Sequence, residues 1–232
     1  MNTTINKIVI AIDGHSSTGK STIAKQLASE LQYIYVDTGA MYRSVALYAL
    51  RHTLKVNGRL DIECLVQHLP KITIDFRKDS GGKVETYLND ENVEDEIRTL
   101  KVSNLVSHVA AVPQVRIKLV EQQQVMGQQK GVVMDGRDIG TVVFPDAELK
   151  LFMTASANVR AQRRYDELMS KGHRNVSYVD VLDNINQRDY LDATRKDSPL
   201  KKAEDAFVID NSKLSRTEQF TYIMELVSNC IS

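Results

Sequence analysis

The sequence predicts an α/β fold: a five-stranded parallel sheet with helices on both faces, a small antiparallel β insert and a helical lid. Three observations predict it. Apolar, β-branched runs recur at 7–13, 33–37, 131–135, 149–153 and 206–210, with helical patterns between most of them. Continuous apolar strands that alternate with helices make a parallel sheet covered on both sides. The first run, KIVIAID, leads directly into a glycine-rich loop, GHSSTGKST (14–22), and then into helical spacing. The stretch 71–89 breaks the rhythm: KITIDF and KVETYLN are short and alternating, and RKDSGG between them is a hairpin signal.

Taken in order, the run 7–13 is a buried parallel strand. Behind it stand Gly14, four residues, then Gly19, Lys20 and Ser21, which is the P-loop spacing GxxxxGK[ST]. The glycines let backbone N–H groups turn inward around anionic oxygens. Lys20 supplies an ammonium for β- and γ-phosphates, and the Ser21 hydroxyl is a Mg²⁺ ligand. Ile23, Ala24, Leu27, Ala28 and Leu31 continue as a helix whose positive end faces the same phosphates. Strand, loop and helix together place the fold among P-loop NTPases.

The strand 33–37 ends in DTGAMYR (37–43), at the sheet edge where ligands bind in such folds. It offers the Thr38 hydroxyl, the Tyr42 phenol and the Arg43 guanidinium; the bland reading is a helix start with a surface arginine. Residues 71 to about 100 form the antiparallel excursion. In VVMDGRDIGT (132–141), Asp135 ends a buried strand and is a second anchor for Mg²⁺ and its waters. Gly136 allows a sharp turn, and Arg137 and Asp138 face the same edge; a turn with a local ion pair is the alternative. Arg160, Arg163 and Arg164, at i, i+3 and i+4, share a helix face, followed by SKGHRN. That basic helix-turn, 156–174, is either a lid that closes over phosphates or a solvated face. Arg188, Asp192 and Arg195 form one polar stripe on a helix over 179–196, with Asp189 open to a reading as part of a surface ladder. A closing helix over 214–231 carries Phe220, Ile223, Met224 and Val227 on one face.

Composition narrows the class. The 232 residues allow one sizeable core with an inserted lobe, and a 42% hydrophobic content supports packing. Lys+Arg and Asp+Glu both number 30, so no bulk field draws the protein to nucleic acid or membrane. The two cysteines, Cys64 and Cys230, are far apart with no CxxC, which argues for reduced thiols and a cytoplasmic protein. The opening MNTTINK shows no signal-peptide pattern, and no apolar run approaches the ~20 residues that cross a bilayer. No long exposed apolar patch is evident, so a monomer is expected.

These pieces describe phosphoryl transfer. The P-loop holds a donor, Arg43 and Arg137 can hold an acceptor phosphate bidentately, and lid arginines can join on closure. No general base is obvious. A phosphate monoester acceptor needs none, since its oxygen is already anionic near neutral pH.

The P-loop, DTGAMYR, the hairpin insert, EIRT (96–99), VSHVAAVPQVR (106–116), DGRDIGTVVFPDA (135–147) and RD…D…R (188–195) together resemble the bacterial cytidylate kinases over nearly the whole chain. The resemblance implies ATP and Mg²⁺ as cofactors and CMP, with dCMP, as acceptor. It implies that Gly14, His15, Ser16, Ser17, Thr18, Gly19, Lys20, Ser21 and Thr22 bind ATP, joined by Arg160 and Arg164. Thr38, Tyr42, Arg43 and Arg137 then hold the acceptor phosphate, and Ser107, Arg116 and Asp138 recognise cytosine. Arg188 and Asp192 contact the pentose. Lys20, Arg137, Arg195 and Asp135 serve the transfer itself, and Ser21 and Asp135 the metal. It also divides the chain into a core (1–38, 131–155 and 175–232), a monophosphate-binding region (39–130) with its β insert, and the lid. One departure is plain: this loop reads HSST between its glycines, where relatives more often carry Pro-Ser-Gly-Ala or a close variant.

Two other classes remain in view. A GTPase switch would carry an [NT]KxD motif, which is absent, and the one DxxG, Asp79 to Gly82, lies in the expected hairpin turn. A kinase for UMP, dTMP, AMP or another small molecule is opposed only by the residues after DTGAMYR and DGRD.

Overall fold

The computed structural model describes residues 6–56, 59–81, 84–172, 174–212 and 214–231. Most of MNTTINK, Gly82 and Lys83 of the hairpin and His173 of the lid lie outside the described residues. The chain runs β1 (Val9–Gly14), α1 (Lys20–Glu30), β2 (Ile34–Asp37), α2 (Thr38–Arg51), the short strands β3 (Lys55–Val56) and β4 (Arg59–Leu60), and α3 (Ile62–His68). Next come β5 (Ile74–Lys78), β6 (Val84–Leu88), β7 (Glu91–Asn92), α4 (Leu100–Ala110) and α5 (Pro113–Gly127). It closes with β8 (Val132–Gly136), β9 (Leu149–Thr154), α6 (Ala157–Ser170), α7 (Tyr178–Thr194), β10 (Phe207–Asp210) and α8 (Arg216–Ile231).

Two compact units divide the chain: residues up to Asp37 with those from Gln123 onward, and Thr38–Gln122. The first holds the five-stranded sheet, in the order β10-β9-β1-β8-β2. All four pairings are parallel. The central strands are too apolar to leave a face in water: β1, in the middle, and its neighbour β8 are buried along their whole length, whereas Phe207 and Val208 of the edge strand β10 are exposed. Ile8, Ile10 and Ile12 point to a layer made by Ile23 and Leu27 of α1 and Ile223 and Val227 of α8. Val9, Ala11 and Asp13, which alternate with them, are buried as well, so the other side of β1 is also covered. A fully buried isoleucine contributes about 1.5–3 kcal/mol, which makes β1 the strand the core depends on most.

Helices α6 and α7 form a hairpin with its own small seam of Ala161, Leu168, Val181 and Ile185. Ser156 caps α6 through the Val159 N–H, and Ser177 opens α7 with a reciprocal capping box to Asp180.

The second unit carries the antiparallel excursion. β5 and β6 pair as the alternation requires, and β7 adds a third strand that the sequence does not announce. It is two residues long, too short for any periodicity to show. Arg77 lies over the Tyr87 ring at 4.5 Å, a stacking that favours this exposed sheet.

The sheet fixes the loop after β1. Gly14 has φ of 144°, and a Cβ there would lie 2.1 Å from the Met153 carbonyl oxygen of β9. Gly14→Ala should therefore lower stability by about 2–4 kcal/mol, from backbone strain and a clash with main chain that cannot swing aside. The urea-unfolding midpoint measures it; a midpoint equal to the parent's would contradict the fit of β1 against β9.

Candidate active site

The P-loop leaves the carboxyl end of the central strand and enters α1 at Lys20, as the spacing requires. Gly19, at φ of 99°, is the left-handed residue that starts the helix. Lys20 folds back into the loop: Nζ donates to the His15 carbonyl at 2.5 Å and to Thr18 Oγ1 at 3.4 Å. Burial, then the nearby charge of Arg137, pushes its ammonium down to about 7 from 10.5. Thr18 is fully buried and donates to the same carbonyl at 3.0 Å. Asn211, just past β10, pins the loop from outside, donating Nδ2 to the Thr18 carbonyl at 2.7 Å.

Ser21, the next residue, points at β8. Its hydroxyl donates to Asp135 Oδ2 at 3.0 Å, while Tyr35 of β2 donates to Oδ1 at 2.9 Å. Burial and the charge of Asp37 both push the Asp135 carboxyl up. Asp37 ends β2 directly opposite Asp135 in the register. Among the described residues no cluster of three or more His, Cys, Asp or Glu side chains forms a metal cage.

Asp13, the last residue before the loop, does the bracing. Its two carboxyl oxygens accept from the Ile139 and Gly140 N–H groups, each at 2.8 Å. Burial nevertheless raises the carboxyl to about 7 against those bonds. This shapes the segment after β8. Gly136 ends the strand, and the chain bends directly after it, at Arg137 and Asp138 (φ −144°, ψ 27°), followed by a single π-helical turn over Ile139–Val143. Such turns concentrate at functional sites because they re-aim side chains.

The re-aimed side chains meet α7. Arg137 Nε donates to Asp192 Oδ2 at 2.8 Å, and NH1 to the Gly136 carbonyl at 3.2 Å. Burial opposes its charge, but Asp192 more than restores it. Asp138 lies 3.7 Å from Arg195 NH2, and both side chains are nearly sealed from solvent. Arg195 departs from the expected stripe: α7 stops at Thr194, Arg195 turns into an extended backbone, and its guanidinium also caps the Ser198 carbonyl. Arg188, within α7, adds positive charge felt by both Lys20 and Asp192.

The three lid arginines do not share one role. Arg160 is buried and paired bidentately with Asp189, at 3.1 and 2.6 Å. Asp189 is thus no member of an exposed ladder. Arg163 donates to the Asn211 carbonyl at 2.8 Å, and Arg164 to Glu167 at 2.7 Å.

In the second unit, Thr38, Tyr42 and Arg43 lie on the first turns of α2, Ser107 on α4 and Arg116 on α5. Thr38, Tyr42, Ser107 and Arg116 are buried. The Arg116 guanidinium lies 5.7 Å from the centroid of the Tyr42 ring. Asp13, Tyr35, Asp37 and Asn211 are site residues that sequence reasoning passed over. Asp13 and Asp37 carried a usable signal, since each is an acidic residue ending an otherwise apolar strand. Asn211, far along the chain, carried none.

Comparison with known proteins agrees with this geometry. The family model described as Cytidylate kinase matches residues 10–229. The cytidylate kinase of Flavobacterium psychrophilum is 62% identical over 226 residues, covering 97% of this chain and 100% of that protein. That of Flavobacterium johnsoniae is 60% identical over 228 residues, covering 98% and 99%. That of Phocaeicola vulgatus is 55% identical over 222 residues, covering 95% and 96%. A family model that spans most of the chain, with relatives so similar end to end, leaves a single assignment: the chain belongs to the cytidylate kinase family.

Proposed function

We propose that the protein transfers the γ-phosphoryl group of ATP to CMP, and to dCMP, giving ADP and the diphosphate. The observation that carries this reading is that the buried P-loop Lys20 feels the positive charge of Arg137, among aspartates that partner both. Two cations held out of water repel, and an anion placed against them is bound strongly. Lys20 serves the donor phosphates and follows the charge of the group in flight. Arg137, fixed by Asp192, and Arg195, fixed by Asp138, serve the acceptor phosphate and the transferring group.

Ser21 and Asp135 fit a Mg²⁺ ion. Two carboxylates, Asp37 and Asp135, face one another across adjacent strands and repel, and a hydroxyl lies beside them. Mg²⁺ is commonly held by one or two carboxylates with water and substrate phosphates, rather than by an all-protein cage. When bound, it would neutralise charge between the β- and γ-phosphates.

Thr38, Tyr42 and Arg43 are read as acceptor-phosphate groups, and Ser107, Arg116 and Asp138 as readers of cytosine. Arg188 and Asp192 would meet the pentose. The supporting fact is that Arg116 and Tyr42 already pack together as one buried pair. The reading extends to a monomer that acts on small molecules in the cytoplasm. Cys64 and Cys230 are free thiols, and no helix among the described residues is long and apolar enough to cross a membrane.

Lys20→Ala should fold normally and lose about 10²- to 10³-fold in kcat, the usual cost of removing one aimed charge from a transferring group. ADP release with saturating ATP and CMP measures it; near-parental kcat in a folded variant would refute the role of the loop.

Base choice makes a separate prediction. If Asp138 accepts from the exocyclic amino group of cytosine, uracil presents a carbonyl there and sets one acceptor against another. Such a site can reject the analogue by up to about 10⁴-fold, less where water enters. CMP should exceed UMP in kcat/KM, and Asp138→Ala should narrow the gap mainly by lowering CMP turnover. Turnover of UMP, AMP or dTMP equal to that of CMP would overturn the acceptor assignment and leave the kinase reading standing.

A further inference from the structure

His15 is the residue at which this loop departs from the usual sequence, and beyond the loop's general hold on ATP the function described above gives its side chain no particular task. Its surroundings supply one. The imidazole Nδ1 lies 3.1 Å from Asp189 Oδ1, an ion-pair distance that is off the axis of a linear hydrogen bond. Asp189 belongs to α7 and is held from its other side by Arg160 of α6. Arg160 in turn donates Nε to the Ala155 carbonyl at 2.9 Å and NH1 to the Ser16 carbonyl at 3.4 Å. Two adjacent residues of the P-loop, His15 and Ser16, are thus tied to both helices of the α6–α7 hairpin. The hairpin has its own apolar seam, so these polar links are added to a body already packed within itself.

Two further contacts give the tie a consequence. The His15 carbonyl is the oxygen that receives Lys20 Nζ at 2.5 Å. Three residues along α7 from Asp189 stands Asp192, which holds Arg137 at 2.8 Å. Residues at i and i+3 lie on one face of a helix. One turn of α7 therefore grips the donor loop through Asp189 and the Arg137 guanidinium through Asp192.

We propose that His15 is a positioning residue for phosphoryl transfer: through Asp189 and Arg160 it seats the P-loop on the α6–α7 hairpin, and so holds Lys20 in register with Arg137. Desolvation would push the Asp189 carboxyl up, but His15 and Arg160 hold it down at about 2, so the acceptor in this tie is a carboxylate. The imidazole is about one-third exposed, so the link is modest in size and specific in direction.

The test uses the full chain and reads ATP binding by calorimetry, together with steady-state kinetics toward CMP. His15→Ala should weaken ATP binding about three- to tenfold, the scale of one partly exposed charge-assisted contact, and leave KM for CMP within about twofold. His15→Asn should recover most of the loss, because the Asn amide nitrogen is the same number of bonds from the backbone as Nδ1. In an Asp189→Asn background, His15→Ala should add little, since coupled residues are not additive. ATP binding at the parental level in His15→Ala, no recovery in His15→Asn, or full additivity in the double variant would each overturn the proposal. Should Asp189→Asn melt below the assay temperature, the contrast between His15→Ala and His15→Asn decides alone. The proposal rests on the ATP:CMP reading. A parent protein that binds ATP but does not phosphorylate CMP would refute that reading and leave the binding test in force.

Discussion

The Lys20 ammonium is buried and feels the positive charge of the Arg137 guanidinium, and like charges out of water repel far more than they would in solvent. Much of the surrounding structure makes that arrangement tolerable. Lys20 is held by a backbone carbonyl, that of His15, and feels the carboxylates of Asp135 and Asp13. Arg137 leans on Asp192, and Arg195 on Asp138 and the Ser198 carbonyl. Each cation has a partner good enough to fold with. Under the proposed function, a phosphate chain would be a better partner than any of them, because it brings several negative oxygens to the same place.

The fold supplies this arrangement by topology. A parallel sheet with β1 at its centre places the ends of β1, β2 and β8 side by side, and each carries an aspartate at its last or next-to-last residue: Asp13, Asp37 and Asp135. Their roles diverge with their partners. Asp13 accepts two backbone N–H groups and shapes the turn that carries Arg137 and Asp138. Asp135 meets Ser21, and burial together with the charge of Asp37 pushes its carboxyl up. Helix α7 then joins the P-loop to Arg137, since Asp189 and Asp192 stand one turn apart on it.

The strands were legible because each is a continuous apolar run, and the observed bounds of β1, β2, β8, β9 and β10 differ from the runs by a residue or two. The P-loop was legible because its spacing is rigid: Gly14, Gly19, Lys20 and Ser21 cannot move relative to one another and still cradle a phosphate. Long-range pairings were not legible. Arg160 and Asp189 are 29 residues apart, and Asn211 reaches Thr18 across 193, distances at which periodicity carries no information. A basic helix face was therefore read as a lid surface although Arg160 is buried in it. Arg195 was read as helical because i+7 spacing continues a stripe, whereas the chain leaves the helix one residue earlier. Strand β7 escaped because two residues have no pattern.

In the proposed function, one group of cations around Lys20, Arg137 and Arg195 collects the donor and acceptor phosphates together. A ligand that joins adenosine to cytidine through five phosphates offers both at once and loses its translational freedom once rather than twice. Calorimetric titration of that compound, with ATP and CMP alone as references, tests the claim most directly. Its Kd should lie at least about 10²-fold below that of either nucleotide, within the range that linked ligands reach. A joined ligand that binds no more tightly than ATP alone would show that donor and acceptor phosphates are held by separate sites, and would contradict it.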